Sequence, residues 1–286
     1  MRKVNLGLGG GSFIQIENKS PFQSMGYLIV TPENDVIMLD GGNIRVDEDG
    51  EFLHKLLLSH GGNVRAWLFT HPHDDHIGAF TYIMENYDDI SVGEIYESFP
   101  PDEWVSSVEN GSMIEYIKRY RSAVDTKNIP VKHFTALESI NIGGLKIIPL
   151  NTPDNYNNYT TINDSSVALK IYFPKREVLF LGDLAKDGEK DFSKEAKSLL
   201  PTDIVQMAHH GQYGVSEDFY KLIMPKITLW PTPLWLWENE CYAGDYYEGN
   251  RGPGSGPFDT LNTRAWMRAL KIKEYYTAFM GDTEFY

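Results

Sequence analysis

The feature that most constrains this chain is the run Thr70-His-Pro-His-Asp-Asp-His-Ile-Gly78, which places three of the eight histidines within six positions. Ionisable side chains crowd together at a cost unless something holds them, and imidazoles beside carboxylates are the donor set of zinc-like divalent cations. In an extended segment alternate side chains share a face, so His71, His73 and Asp75 can converge, whereas His76 needs the backbone to turn. One short stretch can then serve two adjacent ion positions. Val64 to Thr70 is mostly apolar and strand-like, and Gly78 to Tyr87 reads as a helix. The cluster therefore falls on a strand-to-helix loop, where α/β folds usually carry chemistry. A merely solvated polar loop is the weaker explanation of such crowding.

Alternation predicts a half-buried strand over Ser12–Glu17 and a hairpin from Gly26–Thr31 to Asp35–Asp40. Glu51–His60 is helical and stopped by Gly61-Gly62, so His54 and His60 belong to that helix as surface or core-edge residues. Strands are expected at Val92–Tyr96, Ile129–Phe134, Leu145–Leu150, Ser166–Phe173, Glu177–Leu181 and Val205–Gly211. Helices are expected at Glu109–Thr126, Asp191–Leu200 and Asn262–Lys273, with edge strands in Glu274–Tyr286. Thr152–Asn163 is a polar loop. The long irregular segment Trp230–Thr260 holds six Trp and Tyr residues; it either packs against the sheet edge or walls a substrate site.

Three further segments join the first motif in order: Val36-Ile-Met-Leu-Asp40-Gly-Gly42, Leu179-Phe-Leu-Gly-Asp183 and Val205-Gln-Met-Ala-His209-His210-Gly211. Together they resemble the metallo-β-lactamase fold superfamily over roughly residues 10–286. The His-His-Gly form and the Asn163-Asp-Ser-Ser-Val167 entry are similar to the soluble metallo-hydrolase domain of the ComEC/Rec2 competence proteins and their stand-alone relatives. The resemblance implies an α/β (α+β) class and a four-layer αββα sandwich, with residues 1–286 as a single domain. It implies two divalent ions, Zn²⁺ in the first place. His71, His73 and Asp183 would hold one, and Asp75, His76, Asp183 and His209 the other, with Asp183 bridging.

The chain departs from the family in one respect. Many members supply a third histidine to the first ion, but the only histidine here between His76 and Asp183 is His133, in a strand far upstream of the expected place. That place falls near Ile162 or Asn163, leaving Asn163, Asp164 or water to complete the site and shifting preference toward Mn²⁺ or Fe²⁺. Asp40 is expected to accept an imidazole N–H and fix its tautomer, against a plain turn role before Gly41-Gly42. His210 either contacts an anionic substrate oxygen or exchanges roles with His209; position alone does not decide.

The implied reaction is hydrolysis. A water bridging two ions has its pKa lowered toward ~7 and attacks, while Asp75 relays a proton. A Ser/His/Asp triad is not credible, because the well-placed histidines are committed to metal. The resemblance favours a phosphodiester or other phosphoryl ester. The net charge of −14 repels long nucleic acid and favours a small-molecule substrate. The alternative is a metal-binding protein of the same fold with a redox or sensing role. The single Cys241 excludes an internal disulfide and fits a reducing compartment. No apolar run reaches the ~18 residues a membrane span needs, and no signal segment opens the chain, so a cytoplasmic protein is expected. The sequence does not set its oligomeric state.

Overall fold

A computed structural model describes residues 1–109, 111–153, 156–240 and 252–286. Two twisted sheets stack face to face. Edge to edge, the first runs Arg2–Val4, Thr283–Phe285, Ser12–Gln15, Tyr27–Val30, Val36–Leu39, Asn63–Leu68, Ile95–Glu97 and Val131–His133, with Ser91–Val92 pairing alongside Asn63–Leu68. The second runs Lys273–Tyr276, Ile227–Trp230, Ile204–Gln206, Glu177–Phe180, Leu169–Tyr172, Leu145–Pro149 and Ile140–Ile142.

Strand alternation assigns side chains to layers. Tyr27, Ile29, Ile37, Leu39, Ala66 and Leu68 point inward and pack against Ile147, Leu169, Ile171, Val178, Phe180 and Ile204 of the second sheet. Their neighbours Leu28, Met38 and Trp67 point outward, beneath helices Asp47–Ser59, Asp74–Asn86 and Gly111–Lys127. On the far side, Leu179, Leu181, Val205 and Trp230 meet Ala196, Phe219, Tyr220 and Met267 of the other helices. Three apolar layers thus separate four layers of structure, the αββα sandwich expected.

Several boundaries differ from expectation. The helix after the histidine run starts at Asp74, not Gly78, because Asp74 and Asp75 favour the positive end of a helix dipole. The helix expected over Glu109–Thr126 is Gly111–Lys127, and a short helix Asp102–Val108 precedes it that was not expected. The strand at Val205–Gly211 ends at Gln206, and a tight turn carries the two histidines. Val92–Tyr96 divides into Ser91–Val92 and Ile95–Glu97. His54 is buried, bonded to Asp89 and stacked on Tyr87. Cys241, Tyr242, Tyr246 and Tyr247 lie outside the described residues. No helix among the described residues is long and apolar enough to cross a membrane.

Candidate metal centre

The site sits where strand ends of both sheets meet. Strand Asn63–Leu68 delivers Thr70 and His71. The Thr70 backbone N–H (2.9 Å) and hydroxyl both donate to Asp40, and the Thr70 carbonyl accepts from Val167, just before strand Leu169–Tyr172 of the second sheet (2.9 Å). Asp40 adopts φ 54 at the end of its strand, a left-handed conformation that aspartate tolerates better than most side chains. Its carboxylate then faces the histidine run.

Two groups of donors converge. One is His71, His73 and Asp183; the other is Asp75, His76, Asp183 and His210. Two donors each ~2.1 Å from one ion in tetrahedral geometry lie ~3.4 Å apart. Here His71 Nε2 lies 3.0 Å from His73 Nδ1, His76 Nε2 lies 3.2 Å from Asp183 Oδ1, and His210 Nε2 lies 3.1 Å from Asp75 Oδ2 and 3.6 Å from Asp183 Oδ2. His76 Nε2 and Asp183 Oδ1 are buried without hydrogen-bond partners, although buried polar atoms almost always have one. Spacing, donor chemistry and orphaned atoms together fit a pair of divalent ions sharing Asp183.

The opposite nitrogens are held by the protein, which sets the tautomers. His76 Nδ1 lies 2.8 Å from Asp40 Oδ2, the outer-partner geometry expected of Asp40. His210 Nδ1 donates to the Pro231 carbonyl at 2.7 Å. His73 Nε2 reaches Glu109 at 3.5 Å. His71 Nδ1 meets the Thr70 hydroxyl at 3.1 Å.

In the second half the backbone does the positioning. Gly182 takes φ 56 with the Thr70 side chain 2.6 Å from where a Cβ would stand, so only glycine brings Asp183 this close. The buried Gln206 side chain accepts from the N–H groups of Leu181 and Gly182 and donates to the carbonyls of Gly182 and Met207. His209 and His210 both adopt left-handed conformations, φ 50 and 52.

The geometry departs from two expectations. His210, not His209, completes the second group, because consecutive left-handed residues aim the second imidazole inward. His209 stands outside both groups and lines the cavity, its Nε2 3.8 Å from Asp183 Oδ2 and 3.3 Å from Asn163 Nδ2. Asp164 is no ligand: its oxygens accept from the N–H groups of Thr160, Thr161, Asp187 and Gly188, a local capping role. Asn163 does approach the site through His209, with its Oδ1 buried and unpartnered.

Without metal, the cluster is a network of charges. Burial opposes a charge on His76, but Asp183, Asp40 and Asp75 outweigh it and hold its pKa well above the ordinary value. Burial also opposes ionisation of Asp183, yet His76, His210 and His209 hold its carboxyl well below the usual range. His71 goes the other way: burial, then the charges of His76 and His73, keep it neutral. Burial likewise pulls His209 down to about 4.

A cavity of about 450 Å³ opens over the centre, lined by Asp75, Asp183 and His209 below and by Phe22, Trp235 and Phe258 around the rim. The described parts of the Trp230–Thr260 segment divide between the core and the cavity. Trp230 and Trp237 are buried against each other in the core, while Trp235 and Phe258 reach the cavity. Sequence reading missed Glu109, Arg45 and Gln206, whose roles depend on partners far away in the chain.

The architecture and paired donor groups define a metallo-hydrolase-type αββα sandwich, and comparison with known sequences agrees. The profile of the metallo-β-lactamase superfamily matches residues 20–226, so the chain belongs to that family, whose members bind divalent metals, often two. Among solved structures it is similar to the metallo-β-lactamase fold protein YhfI from Bacillus subtilis, with 11% identity and a TM-score of 0.54 over 96% of this chain and 99% of that one. It is also similar to CmlA, a diiron β-hydroxylase from Streptomyces venezuelae, with 14% identity and a TM-score of 0.56. That match covers 93% of this chain but only 52% of CmlA. Both likenesses show the shared fold. No curated protein sequence matches this chain.

Proposed function

We propose that the chain is a binuclear metal-dependent hydrolase of a small ester, with a phosphodiester or other phosphoryl compound as the leading substrate class. His71, His73 and Asp183 hold one ion; Asp75, His76, His210 and Asp183 hold the other. The observation that carries this reading is the sharing of Asp183 between two donor groups, with its Oδ1 and His76 Nε2 facing each other at 3.2 Å, buried and without a hydrogen bond. Two such ions, when bound, lower the pKa of water and polarise a carbonyl or phosphoryl oxygen.

The chain's own residues do the rest. Asp40 and Pro231 lock His76 and His210 with Nε2 facing inward. Asp75, whose oxygens stand within reach of His76 and His210, keeps both imidazoles in place at the cavity floor. His209 lines the cavity beside Asp183, where its ring can pack against a bound substrate. The His-His-Gly form still favours the ComEC/Rec2-like branch, but the cavity's size and the net charge of −14 favour a small molecule over long nucleic acid. Pairing of Arg2–Val4 with Thr283–Phe285 supports reading 1–286 as one domain.

A second reading rests on the first donor group, which has two imidazoles rather than three and no histidine at the position near Asn163. Such a site suits iron, and the diiron hydroxylase of similar fold makes oxygen chemistry the competing activity. Metal analysis by mass spectrometry followed by a panel of chromogenic phosphodiester, phosphomonoester, lactone, thioester and β-lactam substrates tests the proposal. Turnover that needs metal and disappears in Asp183→Ala supports it. Oxygen uptake by the iron-loaded, reduced protein, with no turnover of any ester, moves the assignment to the second reading.

A further inference from the structure

Among the described residues, Arg45 is the one arginine or lysine lining the cavity, against the carboxylates Asp74, Asp75, Glu109 and Asp183. It follows the Asp40-Gly41-Gly42 strand end and is fixed at three points. Its backbone N–H donates to Asn43 Oδ1 at 2.6 Å, its Nε donates to Asp74 Oδ2 at 2.6 Å, and its guanidinium lies over the Phe22 ring, 5.4 Å from the centroid. Asp74 belongs to the histidine run itself, yet joins neither donor group. Its side chain is only 6% exposed, while that of Arg45 is 50% exposed.

This arrangement uses the metal motif to aim a guanidinium. Asp74 engages Nε alone, and no described residue bonds the two terminal nitrogens. A planar fork left free in this way matches the paired oxygens of a carboxylate or phosphate, and desolvation in a cavity strengthens the match. Resting on the two-ion reading above, the charge balance among the described residues agrees: two divalent ions with Arg45 outnumber the four lining carboxylates by one charge. The loaded cavity is therefore suited to an anion, with Phe22, Trp235 and Phe258 among its lining residues.

We propose that Arg45 is a specificity-determining anion anchor: the substrate carries a carboxylate or phosphate, separate from the group hydrolysed over the metals, and an apolar middle that lies against the aromatic rim. Carboxylate and phosphate share this chemistry, and the test separates them. The metal-loaded protein is titrated calorimetrically with butyrate, glutarate and 4-phosphonobutyrate. One oxyanion of each can face the metals, but only the latter two present a second to Arg45.

The expected result is that at least one of the two-headed ligands binds about tenfold tighter than butyrate, roughly one charge-assisted contact. The tighter of the two names the anion. Arg45→Met should abolish that gain at unchanged metal content, and Arg45→Lys should restore part of it. Equal affinity for all three ligands in the wild type, no binding of any of them, or a gain that survives in Arg45→Met overturns the proposal. In the last case Arg45 merely balances Asp74, and its loss would show only as a lower melting temperature. Binding rather than turnover is read, so a protein that binds these anions yet hydrolyses nothing refutes the hydrolase assignment alone.

Discussion

The two halves of the centre are built by different means. In the first, residues 70–76 supply four donors from one turn of chain, and each of the three imidazoles is braced by a side chain: Thr70 and Asp40 behind His71 and His76, Glu109 behind His73. In the second, Asp183 and His210 come from separate loops, and backbone conformation places them. Gly182 and the His209-His210 turn are left-handed, and Gln206 ties the loops together. The first half is a sequence pattern that happens to sit on a strand end. The second is a geometry that sequence hardly marks. A braced side chain tolerates small shifts of its backbone, whereas a donor set by backbone conformation fails when that conformation changes.

The comparison breaks most sharply at Asp183, the one residue both donor groups share. Asp183→Ala should lower bound metal from two ions to fewer than one, as counted by mass spectrometry after dialysis. No single substitution within residues 71–76 should remove as much. A variant that keeps two ions would show that the halves do not meet at Asp183.

Next in size is the contrast between the adjacent histidines. His210→Ala should lose about one ion per chain, because His210 Nε2 faces Asp75 and Asp183. His209→Ala should keep both ions and lose substrate affinity or turnover instead. Loss of metal in His209→Ala with retention in His210→Ala would reverse the assignment and with it the account of the turn.

Those two histidines also show where sequence stops informing. The histidine run was legible because its crowding and spacing are local, and the sandwich, the Asp40 strand end and the Gly-Asp pair through their resemblance to the superfamily's ordered motifs. A strand-like reading of Val205–Gly211 cannot say which of two neighbouring imidazoles points inward, since that depends on successive positive φ angles at non-glycine residues. Asp164 looked like a donor by position, but it caps its own loop, as aspartate often does. Arg45 and Glu109 lie 29 and 36 residues from the partners they brace, Asp74 and His73. No local pattern records those pairings. The early start of the helix at Asp74 was in the sequence, in its acidic first turn, though the glycine at position 78 drew the boundary too late.

Proton release on metal binding sharpens the contrast further. In the metal-free protein Asp183, Asp40 and Asp75 overcome burial and raise the His76 pKa, which favours its protonated form, while burial favours neutral His71. An ion must displace the His76 proton, so affinity should rise with pH toward that raised pKa and weaken as pH falls. Asp75 and Asp183, held below the usual carboxylate range by His76 and its neighbours against burial, stay ionised and release none. Calorimetry at pH 7 in buffers of different ionisation enthalpy should therefore show net proton release. Apparent enthalpies that do not change with buffer would mean His76 is already neutral.

The smallest expected effect is at Glu109, the brace of the first half that is least enclosed. Its side chain is 26% exposed and its contact with His73 Nε2 is 3.5 Å, against 2.8 Å for the fully buried pair of Asp40 and His76. Loss of an outer partner typically costs a metal site about 10- to 100-fold in affinity, and a long, partly solvated contact belongs at the lower end. Glu109→Ala should thus weaken one of the two ions by about tenfold in a competitive chelator titration and leave the other unaffected. Glu109→Gln, whose amide oxygen still accepts from Nε2, should lose less. Asp40→Ala should cost more than either, because it strips the partner from a buried imidazole. Were Glu109→Ala to match the wild type at both sites, His73 would need no brace, and the first half would be held, like the second, by its backbone alone.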